Sequence, residues 1–179
     1  MAAATERRFA KFLPALLAGL QAGMVGVWRM LAWMGASAVW QRGSFWTPEN
    51  LMASVFYGNA AILPDFAAST VSGLALYLLL YSLLGAGFAM AVSSRLPRPR
   101  LALASIAFAL SWYYIAFHLL ARFVSPLVTL LDPERTTVLG HAIYGALLAR
   151  FPVYLPHAAA PPAASALENQ GPTTEPQQQ

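Results

Sequence analysis

Three stretches of this chain, 13–39, 66–92 and 101–120, run for about twenty residues or more with almost no charge. A hydrocarbon layer about 30 Å thick takes roughly 20 apolar residues of helix to cross. A fourth run, 138–148, approaches that length once its flanks are counted. The pattern predicts an all-α integral membrane bundle of four transmembrane helices, over 13–39, 66–92, 101–123 and 133–151. These spans make one transmembrane domain, 1–156, followed by a polar segment, 157–179.

Composition supports lipid as the solvent. Of 179 residues 58% are hydrophobic and 10% charged, against about a quarter charged in soluble domains. The net charge of +4 is modest, and the basic residues flank the apolar runs instead of forming a face, so nucleic acid is not an expected partner. With no cysteine there is no disulfide framework, thiolate nucleophile or Cys-ligated metal. Arg7, Arg8 and Lys11 before the first run, with Ala36-Ser37-Ala38 beyond it, imitate a signal peptide. A signal's apolar core is only about 7–15 residues. The first run is longer and contains Arg29, so an uncleaved helix is expected.

Orientation follows from arginine and lysine, which stay cytoplasmic in short loops. Arg7, Arg8 and Lys11 precede the first span, Arg95, Arg98 and Arg100 fill the turn between the second and third, and Arg150 closes the fourth. With four spans all of these lie on one side, which places both termini in the cytoplasm and the chain in the inner (plasma) membrane. The opposite side keeps Arg42 and Arg135 and carries Glu49, Asp65, Asp132 and Glu134.

Within the first span Gly19, Gly23 and Gly26 lie three and four apart among alanines, and 19–23 is a GxxxG. Small residues let backbones approach and gain dispersion contact where lipid supplies no hydrophobic drive. Either another helix of the same chain or a second copy would use that face; Gly140 and Gly145 are the matching candidates in the last span. In the first outer loop Thr47-Pro48-Glu49 has the form of a helix start, with Thr47 as cap and Pro48 first inside. A short interfacial helix over 48–58 is expected there, ended by Gly58-Asn59, with Pro64 closing the loop. Asp65 is the expected cap of the second span, and Asp132-Pro133-Glu134 repeats the start pattern before the fourth. From His157 the composition turns to Ala, Pro, Gln, Thr and Ser, which reads as a disordered cytoplasmic tail.

Ionisable groups inside a bilayer are costly and mark function by default. At 1.5 Å per residue Arg29 lies roughly 24 Å along its helix, His118 roughly 25 Å and Arg122 roughly 31 Å, and His141 lies roughly 8 Å below the outer boundary. All converge on the outer third. His118 and Arg122 are four apart with Tyr114 one turn deeper, hence on one face. Arg29, His118, Arg122, His141, Tyr114 and Asp65 are therefore the candidate outer-leaflet polar pocket, able to take a proton, an anion or a lipid headgroup. A structural reading, in which the arginines snorkel and the histidines bond a carbonyl or hydroxyl, stands beside it. A third possibility sets His118 and His141 as axial ligands of a haem; otherwise no cofactor or metal is expected.

Residue supply argues against most enzymes. There is no HExxH, no GxSxG, no glycine-rich phosphate loop with lysine, and no carboxylate in the interior of the predicted spans. His118 late in the third span, a Pro-containing outer loop, and an acid before Gly140-His141-Ala142-Ile143-Tyr144-Gly145 resemble small bacterial inner-membrane proteins of the YagU-like family. The resemblance covers 112–150; the loop lengths and the Pro/Gln tail depart from it. It implies a four-helix inner-membrane protein with no established reaction. The leading expectation is a non-enzymatic multi-pass protein in contact with the lipid bilayer, either a subunit or accessory component of a membrane assembly or a small stress-related component. As such it would form homo-oligomers or bind a membrane-protein partner. The alternative is a small transporter or binding protein using the Arg29, His118 and His141 pocket.

Overall fold

The computed structural model describes residues 2–63, 65–92, 96–131 and 133–156, without the side chains of 2–11, 122 and 129. The described residues are helical throughout and contain no strand. Helix α1 spans Ala2–Trp40, α2 Thr47–Tyr57, α3 Ala68–Ala91, α4 Arg98–Tyr114, α5 Ala121–Val124, α6 Pro126–Leu131 and α7 Glu134–Leu148. Between α4 and α5 the helix continues as a π turn, Ile115–Leu120. Short 3-10 turns follow α2 at Gly58–Ala61 and α7 at Phe151–Tyr154.

Three helical stretches are long and apolar enough to cross a membrane: Phe12–Trp40, Ala68–Ala91 and Arg98–Leu120. This is the composition of a membrane protein. The exposed positions agree, since Trp28, Leu79, Leu103 and Phe123 all point outward, and a helix apolar on every side needs protein or lipid around it. The expected fourth span is helical too, but α7 has 15 residues, about 22 Å of helix, which is less than the hydrocarbon thickness.

Small residues set how close the helices come. α1 packs chiefly on α3, α7 packs on both α1 and α4, and α2 lies on α3. A Cβ added to Gly19 would stand 2.5 Å from the Gly85 carbonyl oxygen, and one on Gly23 2.6 Å from that of Tyr81. The GxxxG face is thus spent inside the chain, on α3, and is not open to a second copy. Gly26 admits the Tyr144 ring, Gly140 meets Met30 and Met34, and Gly145 brings α7 within 2.7 Å of Ile106 Cα on the same test. Ala18, Ala22, Val27, Met30 and Leu31 of α1 enclose the core with Tyr77, Tyr81, Tyr144 and Leu148.

The helix starts differ from expectation in a consistent way. Thr47 does not cap α2: it is the first helical residue, its hydroxyl donates to the Ser44 carbonyl (2.8 Å), and Ser44 Oγ accepts from Trp46 N–H (3.2 Å). Asp65 does not cap α3. Ala67 holds that position, and Thr70 Oγ1 reaches back to accept its N–H (2.9 Å). Pro133 precedes α7 as its cap residue and its carbonyl accepts from the Thr136 and Thr137 amides. Asp132, Pro64, Arg95 and the tail 157–179 lie outside the described residues. α6 was not expected. Ser125 is extended (φ −153°, ψ 95°) because the residue before a proline is forced out of the helical region, and Pro126 then starts α6.

Candidate functional site: an apolar cleft beside His141

The site begins with α7. Gly140 and Gly145 draw this helix in against α1 and α4, and His141 between them is carried inside, only 4% exposed. A buried imidazole needs partners for both nitrogens, and both are present. Nδ1–H donates to the Thr137 carbonyl one turn earlier (2.8 Å). A carbonyl only accepts, so Nε2 carries the lone pair and takes the hydroxyl proton of Tyr81 (2.6 Å). Tyr144 O–H donates to the Tyr81 carbonyl (2.7 Å), fixing α3 against α7. The Tyr81 ring meets Tyr144 edge-on at 5.0 Å, and Tyr113 covers the other side of His141 at 5.0 Å.

Beside this cluster opens a cleft of about 300 Å³, at the low end of small-molecule sites. Leu51, Met52 and Val55 of α2 form one wall and Leu76, Tyr77, Leu80 and Tyr81 of α3 another. The third wall is Trp112, Tyr113, Ala116, Phe117, Leu120, Ala121, Val124, Ser125 and Val128, with Thr137 and His141 behind. That third wall advances four residues at a time. On an α-helix four residues turn about 400°, so such a stripe slips about 40° per step. The wider π turn at Ile115–Leu120 takes back part of the slip, and π turns in α-helices gather at functional sites.

The lining is almost wholly apolar. Among the described residues the buried indole N–H of Trp112 has no hydrogen-bond partner. The rim between α2 and the α5–α6 bend is closed by one bond. Ser54 Oγ–H donates to the Leu51 carbonyl (2.6 Å), which leaves the Ser125 hydroxyl as donor to Ser54 Oγ (2.7 Å).

Of the five candidate pocket residues whose side chains are described, His141 alone lines this cleft. His118 and Tyr114 are exposed and stacked on each other, 5.5 Å apart with planes 14° off parallel. Tyr113 lies between them and His141, 6.3 Å from the His118 ring. Arg29 is exposed on α1, beside Val27 and Met30, which make the buried face. Asp65 is exposed in the loop before α3 and takes part through its carbonyl, which accepts from Asn50 Nδ2 (3.2 Å). Arg122 belongs to α5, its side chain outside the description. Tyr81, which holds His141 Nε2, was not among the sequence candidates. Nor were Trp112 and Tyr113, whose aromatic run with Tyr114 was the available signal.

Both nitrogens of His141 are hydrogen-bonded, Nε2 to Tyr81 and Nδ1 to Thr137, and the Tyr113 ring lies against both His141 and His118. Among the described residues no group of three His, Cys, Asp or Glu is placed to hold a metal ion. What this arrangement offers chemically is an apolar volume beside a neutral imidazole locked in one tautomer. No family model, curated protein or solved structure matches the chain.

Proposed function

We propose that this chain is a non-enzymatic multi-pass protein of the inner membrane that holds a neutral, largely apolar ligand in the cleft beside His141. The cleft carries the reading. Among the described residues its walls bear no Asp, Glu, Lys or Arg, which disfavours a charged ligand. This is the binding-protein alternative moved from the polar surface to the apolar interior. The assembly-subunit reading loses its main motive, since Gly19 and Gly23 are engaged by α3.

In this reading α7 completes the crossing as a fourth, short span, helped by the turn at Phe151–Tyr154, and both termini lie in the cytoplasm. α2 lies in the outer interface. The likeness of 112–150 to YagU-like proteins fits that topology.

Two experiments test it. Organic extraction of the protein purified in mild detergent, followed by mass spectrometry, should find a neutral apolar molecule near one per chain, lost in Ala116→Phe, which fills the cleft. No such molecule, or equal amounts in both proteins, overturns the binding role. The chain has no cysteine, so a single one at Pro97 reports sidedness; reaction with an impermeant maleimide in intact cells overturns the topology.

A further inference from the structure

Glu49 stands out as a carboxyl group buried without a countercharge among the described residues. It occupies the first turn of α2, is 2% exposed, and its Oε2 is buried with no hydrogen-bond partner among the described residues. The seat it lies in is tight. A Cβ on Gly73 of α3 would strike the Glu49 carbonyl oxygen and stand 2.8 Å from its carbonyl carbon and 3.0 Å from the Ala53 nitrogen.

The elements packed on α2 are α3, the 3-10 turn 58–61, α1 and α6. The 3-10 turn and α6 have no titratable residue, and α3 has only Tyr77 and Tyr81. After Lys11 the one charged residue of α1 is Arg29, which is exposed. Of the flanking loops, Arg42 and Asp65 are exposed as well, while the Arg122 side chain and Asp132 lie outside the described residues. A carboxylate buried away from any cation is strongly disfavoured and takes up a proton instead.

We propose that Glu49 is a proton-binding site: α2 is seated on α3 with the proton bound and is released when the proton leaves. Burial pushes the group up from 4.5 to about 7, against a smaller pull downward from its own backbone N–H. A released α2 returns the carboxyl to water and its ordinary value. The seated form therefore binds more protons than the released form between about pH 4.5 and 7. Seating is strongest below that window, weakens as pH rises through it, and is level above it. The equilibrium moves by up to about three-hundredfold. α2 carries Leu51, Met52 and Val55 of the cleft and the Ser54 bond to Ser125, so its release opens that wall. The inference needs no ligand in the cleft and stands or falls apart from it.

The test is backbone hydrogen exchange over α2, on the full chain in lipid nanodiscs from pH 4.5 to 8.5. At each pH the rate is divided by that of Glu49→Gln, which cancels the intrinsic pH dependence. The expected ratio is near one at the acid end and tenfold or more above pH 7, with α1 unchanged; a flat ratio overturns the proposal. Should Glu49→Gln not fold, dicyclohexylcarbodiimide labelling of the wild type decides. Glu49 should be labelled at pH 6, where the exposed Glu134 is not, and unlabelled at pH 8.5. Labelling no greater than at Glu134 also overturns it.

Discussion

Replacing Gly85 by alanine puts one methyl group where α1 and α3 already touch. Its Cβ would stand 2.8 Å from Gly23 Cα and 3.0 Å from Gly23 N, and nearer still to the Gly19 carbonyl oxygen. Comfortable contact between carbon atoms is about 3.5–4.0 Å, so the helices must part by about 1 Å. Every obstructing atom is backbone, and no side chain can rotate away. Overpacking of this kind costs about 1–3 kcal/mol, while the helix preference of alanine over glycine returns at most about 1 kcal/mol. The net loss is about 1–2 kcal/mol, roughly a 5- to 30-fold change in the folded-to-unfolded ratio. Gly87, two residues along the same helix, supplies the control. Nothing lies within 4 Å of its Cβ position, so Gly87→Ala should be neutral or slightly stabilising. Both variants are compared with wild type by reversible denaturation in mild detergent. If Gly85→Ala proves as stable as Gly87→Ala, the close approach of α1 and α3 is not what holds this face together. Combining Gly85→Ala with Gly19→Ala should cost less than the sum, because one separation relieves both clashes.

Asn50→Ala removes the donor to the Leu63 and Asp65 carbonyls and the acceptor of the Thr70 hydroxyl. It should cost about 2–3 kcal/mol and speed hydrogen exchange over 58–63, whereas exchange in α4 stays as in wild type. Tyr81→Phe leaves His141 Nε2 as a buried acceptor with nothing to accept and should lower stability by about 1–3 kcal/mol, read by the same denaturation. Ser125→Ala breaks only the bond to Ser54; a loss of about 0.5–1.5 kcal/mol is expected, and a double-mutant cycle with Ser54→Ala should recover the coupling.

The long helices were legible because lipid imposes a length and an apolar composition that local sequence cannot disguise. The close-packing glycines were legible for a related reason: without a hydrophobic drive between helices, Gly19, Gly23, Gly140 and Gly145 have little other use. Helix starts were read less well. Thr47 and Asp65 have the chemistry of caps, yet Ser44 and Thr70 make the bonds, since a cap depends on loop geometry that spacing does not encode. Depth along the helix axis brought His118, Arg29 and His141 together, but depth says nothing of the direction in which a side chain faces. Glu49 was assigned to the outer loop and its burial was invisible, because it follows from Gly73, 24 residues away in sequence, giving α2 room to lie down on α3.

The π turn in the third long helix has a consequence for variation in this chain. Six residues there occupy the rise of fewer, as though one had been slipped into an ordinary helix after it formed. Removing a single residue from 115–120 would restore regular winding and leave everything beyond it facing as it does now, because the wide turn has already absorbed that residue's rotation of about 100°. Regular winding of all six residues would instead swing Ala121, Val124 and Ser125 by about 100°, and the hollow next to the imidazole would lose its side. A chain one residue shorter at this point keeps its enclosure, and a chain of equal length forced into even winding loses it.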